Sequence, residues 1–300
     1  MKKLDDFLEL AQSFSRSARI AVAGAQDENV LESVRMAQKM NIVEPILYGN
    51  TEKIEKTAKF LGIKLDGMEI VHAPNLLEAG KMAVRGVAEG KADLLMKGKI
   101  KTSELMSLVL QKEYGLRTGR TLSAVSVLEV PSYHKLLIIS DGGIVISPDL
   151  KQKRDIVENA VMVARTLGVD TPKVAIIGAT EIAEAPSTLD AAILSKMSGR
   201  GQIRGCVVDG PLSLDDAVGK KAASLKGVES HIAGDADVLI VPYIESGNIF
   251  SKALIYLEGA RAATVVVGAR MPIVLTSRAD SAETKLFSIA LGMLIAVERE

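Results

Sequence analysis

A serine, an arginine and two carboxylates share the short run T-S-R-A-D-S-A-E-T-K, residues 276–285, and together they could stabilise an anion and accept a proton. The apolar stretch Pro272-Ile273-Val274-Leu275 ahead of it reads as a buried strand. Ser281-Ala282-Glu283 and the apolar run Leu286–Val297 read as a helix. Ser277, Arg278, Asp280 and Glu283 therefore fall where a strand gives way to a helix. Unpaired N–H groups and the positive end of a helix dipole make such a junction an anion site. A phosphate or a thioester carbonyl held there would meet both charge stabilisation and a base. The same letters have a second reading, because Ser277-x-x-Asp280 and Asp280-x-x-Glu283 each fit a capping box and Arg278 fits a solvated charge.

Two further runs have the composition of an anion clamp. Lys97-Gly98-Lys99-Ile100-Lys101-Thr102-Ser103 follows the apolar run Ala92–Met96 and precedes a helical pattern. Lys97, Lys99, Thr102 and Ser103 suit phosphate oxygens, and Thr102 or Ser103 equally suits a helix N-cap. Arg117 to Ser123 adds Arg120 just before another strand. Asp141, Asp209 and Asn248 each lie in a polar, glycine-containing run that is read as the carboxyl end of a strand, where open α/β sheets take ligands. The chain has no P-loop, no G-x-G-x-x-G and no G-x-S-x-G run. His72, His134 and His231 lack metal or triad spacing, so no metal is expected. Cys206, beside Gly205 and Val207-Val208, reads as a strand residue rather than a nucleophile.

These runs are positioned by alternating elements. Apolar strands at 19–23, 43–48, 92–96, 174–177, 238–241 and 264–267 alternate with helical patterns such as 28–40, 76–89 and 150–167. That pattern predicts an α/β fold with mostly parallel sheets. Val125–Val130 and Lys135–Ser140, linked by Pro131-Ser132-Tyr133-His134, predict an antiparallel pair and a change of domain. The expected division is residues 1–127 with 278–300 as a first α/β domain and 128–277 as a second. Short hinges would leave an interdomain cleft, a common ligand site.

Charge balances at 37 basic against 37 acidic residues, and aromatic content is 3% with no Trp, which excludes a polyanion groove or a base-stacking platform. No nucleic-acid partner is expected. A single cysteine fits a reducing cytoplasm. Residues 1–15 carry Asp5, Asp6 and Glu9 in an apolar pattern and read as an amphipathic helix, not a signal peptide. No run approaches the roughly 18 apolar residues of a membrane span, so no membrane partner is expected. Leu286–Val297, apolar all round, predicts a helix packed deep between layers.

D-G-P-L-S-L-D-D-A-V (209–218), A-G-D-A-D-V-L-I-V-P-Y-I-E-S-G-N-I-F-S-K-A-L (233–254) and S-R (277–278) resemble the phosphate acetyl/butyryltransferase family over nearly the whole chain. L-L-M-K-G-K-I-K-T-S-E-L-M (94–106), G-L-R-T-G-R (115–120) and S-D-G-G-I-V-I-S-P-D-L (140–150) resemble its butyryltransferase branch. The resemblance implies a two-domain fold like isocitrate and isopropylmalate dehydrogenases, homodimeric or larger through the second domain (128–277), with the site in the interdomain cleft and no metal. It implies transfer of a short acyl group between CoA and inorganic phosphate, with acyl-CoA as substrate and no bound cofactor. The family's serine–arginine pair falls on Ser277 and Arg278, and an arginine of the acetyl branch on Arg120. The acetyl branch's thiol base falls on Thr284, so Glu283 is preferred as base, with Asp280 on the same turn. Two other classes stay open. A decarboxylating NAD-dependent dehydrogenase of the same fold would need aspartates sharing a helix face, which the adjacent Asp215 and Asp216 do not. A non-catalytic CoA or acyl-phosphate binding protein would keep the anion clamps and lack the base.

Overall fold

The computed structural model describes residues 2–298 and divides the chain into two compact units. The elements run α1 (Asp5–Ser13), β1 (Ala18–Ala23), α2 (Glu28–Lys39), β2 (Val43–Gly49), α3 (Thr51–Phe60), β3 (Glu69–His72), α4 (Leu76–Ala88), β4 (Leu94–Lys97) and α5 (Thr102–Val109). Then follow β5 (Ser123–Glu129), β6 (Leu137–Ser140), α6 (Leu150–Thr166), β7 (Lys173–Ile177), α7 (Pro186–Gly199), β8 (Val207–Leu212), α8 (Leu214–Val218), α9 (Lys220–Lys226), β9 (Val238–Ile240) and α10 (Ile244–Leu257). The chain closes with β10 (Arg261–Val267), β11 (Ile273–Val274) and α11 (Ala282–Val297). Strand–helix alternation thus gives the α/β class expected.

The first unit comprises Leu4–Gly119 and the return segment from Ala263. Its strands lie in the order β3-β2-β1-β4-β11-β10. All neighbours are parallel except β10 and β11. Every residue of β4 is buried, as a parallel strand covered on both faces requires. Helix α11 runs against this sheet with residues 285–296 all buried, matching the apolar-all-round pattern. Gly292 permits the approach, since a Cβ there would stand 2.9 Å from Val274 Cγ2 and 3.0 Å from Leu94 Cδ1.

The second unit comprises Arg120–Ala262 with residues 2–3. Its strands lie in the order β5-β6-β9-β7-β8. The β5–β6 pair is antiparallel, as the proline-containing link predicts, and the other neighbours are parallel.

The divisions at 119/120 and 262/263 differ from the sequence boundaries at 127/128 and 277/278. Hydrogen bonding decides both. Thr121 is held through its N–H and hydroxyl by Asp155 of α6, so the second unit begins before β5. Near the other end, β10 and β11 form an antiparallel pair joined to β4, so the chain has returned before Ser277.

The carboxyl ends of β1 and β4 are fused through backbone. Gly98 N–H donates to Ala23 O at 2.9 Å and Lys99 N–H to Gly24 O at 2.8 Å. A Cβ on Gly98 would overlap the Gly24 carbonyl oxygen. Gly98→Ala should therefore lower the urea midpoint by the equivalent of about 1–3 kcal/mol, the usual cost of overpacking. An unchanged midpoint would show that the two turns can part without cost.

Candidate active site

The register of three parallel strands gathers the site in the first unit. Ala23 of β1 pairs with Lys97 of β4, and Val274 of β11 pairs with Met96. Gly24–Asp27, Lys97–Lys99 and Ser277–Asp280 therefore leave the sheet at the same edge, its carboxyl end, where ligands of open α/β sheets bind.

The 277–280 segment is a turn, not a cap. Asp280 N–H donates to Ser277 O at 3.3 Å, and Ser277 N–H donates to an Asp280 carboxylate oxygen at 2.7 Å. The N-cap of α11 is Ser281, whose hydroxyl oxygen accepts Thr284 N–H at 3.1 Å. Both capping-box readings are thus overturned, because a serine placed directly before the helix does the capping. Ser277 and Arg278 are exposed on the turn, and Glu283 is exposed on the first turn of α11.

Lys97 ends β4 with 5% exposure, and its ammonium donates to Gly98 O at 3.2 Å. Burial lowers its pKa, and the nearby Arg278 and Lys285 charges lower it further, against the opposing pull of Asp27 and Asp280. Lys285 is 2% exposed. Its pKa is also lowered by burial, with Asp280 and Asp27 acting in the other direction. Three cations and two carboxylates thus face one another at the sheet edge. Asp27 caps α2 through Val30 N–H.

Other expected residues are placed less uniformly. Lys99 is exposed beside Gly24. Thr102 and Ser103 are the first two residues of α5; Lys101 occupies the N-cap position, so neither hydroxyl caps the helix as expected. Arg120, in the second unit, lies 3.6 Å from the Glu158 carboxylate. Asp141 and Asn248 come together around Gly142: the Asn248 amide donates to Gly142 O at 3.2 Å, and the 142 and 247 glycines let the two backbones touch. Asp141 is 2% exposed and accepts N–H bonds from Ala124, Gly143, Ile144 and Val145. Burial raises its pKa, while those four N–H groups act in the opposite direction. Its carboxylate therefore shapes the 141–145 loop.

Asp209 does not join Asp141 and Asn248. Strand β8 continues through Pro211 to Leu212, so Asp209 lies inside the strand rather than at its end, and it accepts a hydrogen bond from Ser195 of α7 at 3.1 Å. Residues 245–248, read as a strand-end turn, lie in α10. The sequence reading also missed Lys285 and Asn29 as members of the site. The one signal was a lysine at the head of an otherwise apolar helix.

Among the described residues no group of three or more His, Cys, Asp or Glu could hold a metal ion. His134 faces Asp235 at 2.8 Å and His72 faces Thr51 at 3.2 Å. The Cys206 thiol is half-buried, and burial pushes its pKa up to about 11.

Comparison with known proteins places these features in a wider set. The phosphate acetyl/butaryl transferase family profile matches residues 4–81 and 75–293. A phosphate acetyltransferase of Thermotoga maritima is 48% identical, covering 98% of this chain and 99% of that protein. A phosphate butyryltransferase of Clostridium acetobutylicum is 49% identical, covering 93% of each. The crystal structure of a branched-chain phosphotransacylase from Enterococcus faecalis V583 superposes with a TM-score of 0.83 at 31% identity, covering 93% of this chain and 99% of that one. A 4-hydroxythreonine-4-phosphate dehydrogenase from Burkholderia phymatum, at 15% identity and a TM-score of 0.57 over 94% of this chain and 99% of that one, shares the fold alone.

A buried ammonium costs stability that an apolar side chain of similar length would not. Lys97→Met should therefore raise stability by about 1 kcal/mol at pH 7 and lower activity. The sign follows from a folded-state pKa below the unfolded one: the cost is complete below the folded value and fades as pH rises through it. Urea melts should show the advantage of Lys97→Met shrinking at alkaline pH; an advantage independent of pH would contradict the charge argument.

Proposed function

This chain belongs to the phosphate acetyl/butaryl transferase family and moves an acyl group between coenzyme A and inorganic phosphate; on that premise we propose direct transfer in a ternary complex, with short acyl chains as cargo and butyryl preferred to acetyl. The observation that carries the reading is the convergence of Lys97, Arg278 and Lys285 with Asp27 and Asp280 at one sheet edge. Toward thioester formation, the CoA sulfur attacks the acyl-phosphate carbonyl and its proton passes to a carboxylate. The resulting tetrahedral oxyanion collapses, the C–O bond breaks, and phosphate leaves and recovers the proton. Ser277 and Arg278 stabilise the oxyanion. Lys97, Lys99, Thr102 and Ser103 receive phosphate groups of the substrates; Arg120 is a further anion-binding residue, and Asp141 and Asn248 shape the 141–145 loop of the second unit.

The proton is assigned to Glu283 on the exposed first turn of α11, with Asp280, which accepts the Ser277 N–H, as the second candidate. A thiol with a pKa near 11 is protonated at neutral pH, which supports direct transfer over a Cys206 acyl-enzyme. CoA acts as a substrate, no resident cofactor is invoked, and the single half-buried free thiol supports a cytoplasmic setting. The butyryl preference is supported by the motifs at 94–106, 115–120 and 140–150. The chain also pairs with a second copy, supported by α10, which buries only Gly247 and exposes Ile249, Tyr256 and Leu257. Light scattering that reports a monomer at micromolar concentration would remove the pairing.

The deciding assay is thiol release from butyryl-CoA and acetyl-CoA, with and without phosphate. Phosphate-dependent release, faster with butyryl-CoA, is expected; no release with either would overturn the reading. In the same assay Arg278→Gln should cost about 10²–10³ in kcat. Glu283→Gln should abolish the acid limb of the pH–rate profile, and loss of that limb in Asp280→Asn instead would transfer the base to Asp280.

A further inference from the structure

Lys285 donates to two carbonyls of the reactive turn, Ser277 O at 2.9 Å and Asp280 O at 2.8 Å. Asn29, the second residue of α2, donates its side-chain amide to the same Asp280 O at 3.2 Å. The turn is thereby tied to two helices. A lysine buried this deeply sacrifices hydration for two carbonyls on an exposed turn that water would otherwise satisfy, so burial for stability alone does not account for it.

Peptide planarity gives the arrangement a consequence. In a trans peptide the C=O and the following N–H point in opposite directions. The 277–278 and 280–281 bonds are not among the cis bonds of this chain. Holding Ser277 O and Asp280 O toward Lys285 therefore turns the N–H groups of Arg278 and Ser281 away from it. Neither of these N–H groups has a protein acceptor among the described residues. Both belong to exposed residues of the turn.

We propose that Lys285, assisted by Asn29, is a positioning residue for acyl transfer: it pins the Ser277 and Asp280 carbonyls so that the Arg278 and Ser281 backbone N–H groups face the oxyanion of the reacting acyl group. This rests on the acyl-transfer reading of the Ser277–Asp280 turn. The role differs from that of Arg278, whose guanidinium touches substrate, because Lys285 acts only through the backbone it holds. The charged groups near Lys285 include Asp27 at the head of α2, Asp280 on the turn and Lys97 at the end of β4.

Lys285→Met keeps the length of the side chain and removes the donors. Steady-state kinetics with butyryl-CoA and phosphate should show kcat lower by about 10²-fold, the loss typical of misplaced oxyanion donors, with KM for both substrates within about threefold. Lys285→Arg, which can donate to both carbonyls, should recover at least tenfold of that loss. Asn29→Leu should lower kcat severalfold with KM unchanged, and it carries the test if Lys285→Met does not fold. Arg278→Gln is run beside them. If Arg278→Gln is fully active, the acyl-transfer reading of the turn fails, and the proposal with it. If Arg278→Gln is impaired while folded Lys285→Met keeps kcat, or Lys285→Arg is no better than Lys285→Met, or Asn29→Leu keeps kcat, the positioning role is overturned and the site reading stands.

Discussion

The contact between the Gly24 and Gly98 backbones is the constraint on which the site depends. Parallel strands whose helices cover both faces must release their connecting segments at the sheet edge. Two such segments can lie side by side only where a side chain is absent. With Gly98 reduced to a hydrogen, Lys97–Lys99 lies directly against Gly24, and the Asp27 cap and the buried Lys97 ammonium enter one electrostatic neighbourhood. Strand β11, paired to β4 on its other side, adds Ser277–Asp280 from a distant part of the chain.

The charge balance of this neighbourhood follows from what occupies it. Two buried lysines and one exposed arginine stand against two carboxylates, so the site carries an excess of positive charge in a region partly withdrawn from water. There an anionic ligand is held more strongly than on an open surface. The cost is borne by the lysines, whose lowered pKa values record it. Side chains that weaken a fold and converge with a reactive turn are what a substrate of high negative charge requires. Phosphate and coenzyme A are both such substrates.

Asp141 shows the opposite use of a carboxylate. Four backbone N–H groups converge on it, so it organises the 141–145 loop. The sequence presented Asp141 and Asp209 as polar residues at strand ends and Asp280 as a carboxylate of the 276–285 run. The fold gives them three fates: a loop organiser, a strand residue bonded to Ser195, and a turn carboxylate beside two lysines.

Residue type and spacing by themselves determined the α/β class, the antiparallel β5–β6 pair, the deep burial of α11 and the prominence of Ser277 and Arg278. Each of these is local: periodicity sets the element, and adjacent residues set the turn. Sequence motifs also sufficed to indicate the family. Tertiary structure alone decided that Ser281 rather than Ser277 or Asp280 caps α11, that β8 runs on past Asp209, that β10 joins the first unit, and that Lys285 and Asn29 reach the reactive turn. Those outcomes rest on hydrogen bonds between residues that compete for the same partners or lie far apart in the chain. Asn29 and Asp280 are joined across most of its length, and no periodicity encodes which carbonyl a distant amide will find.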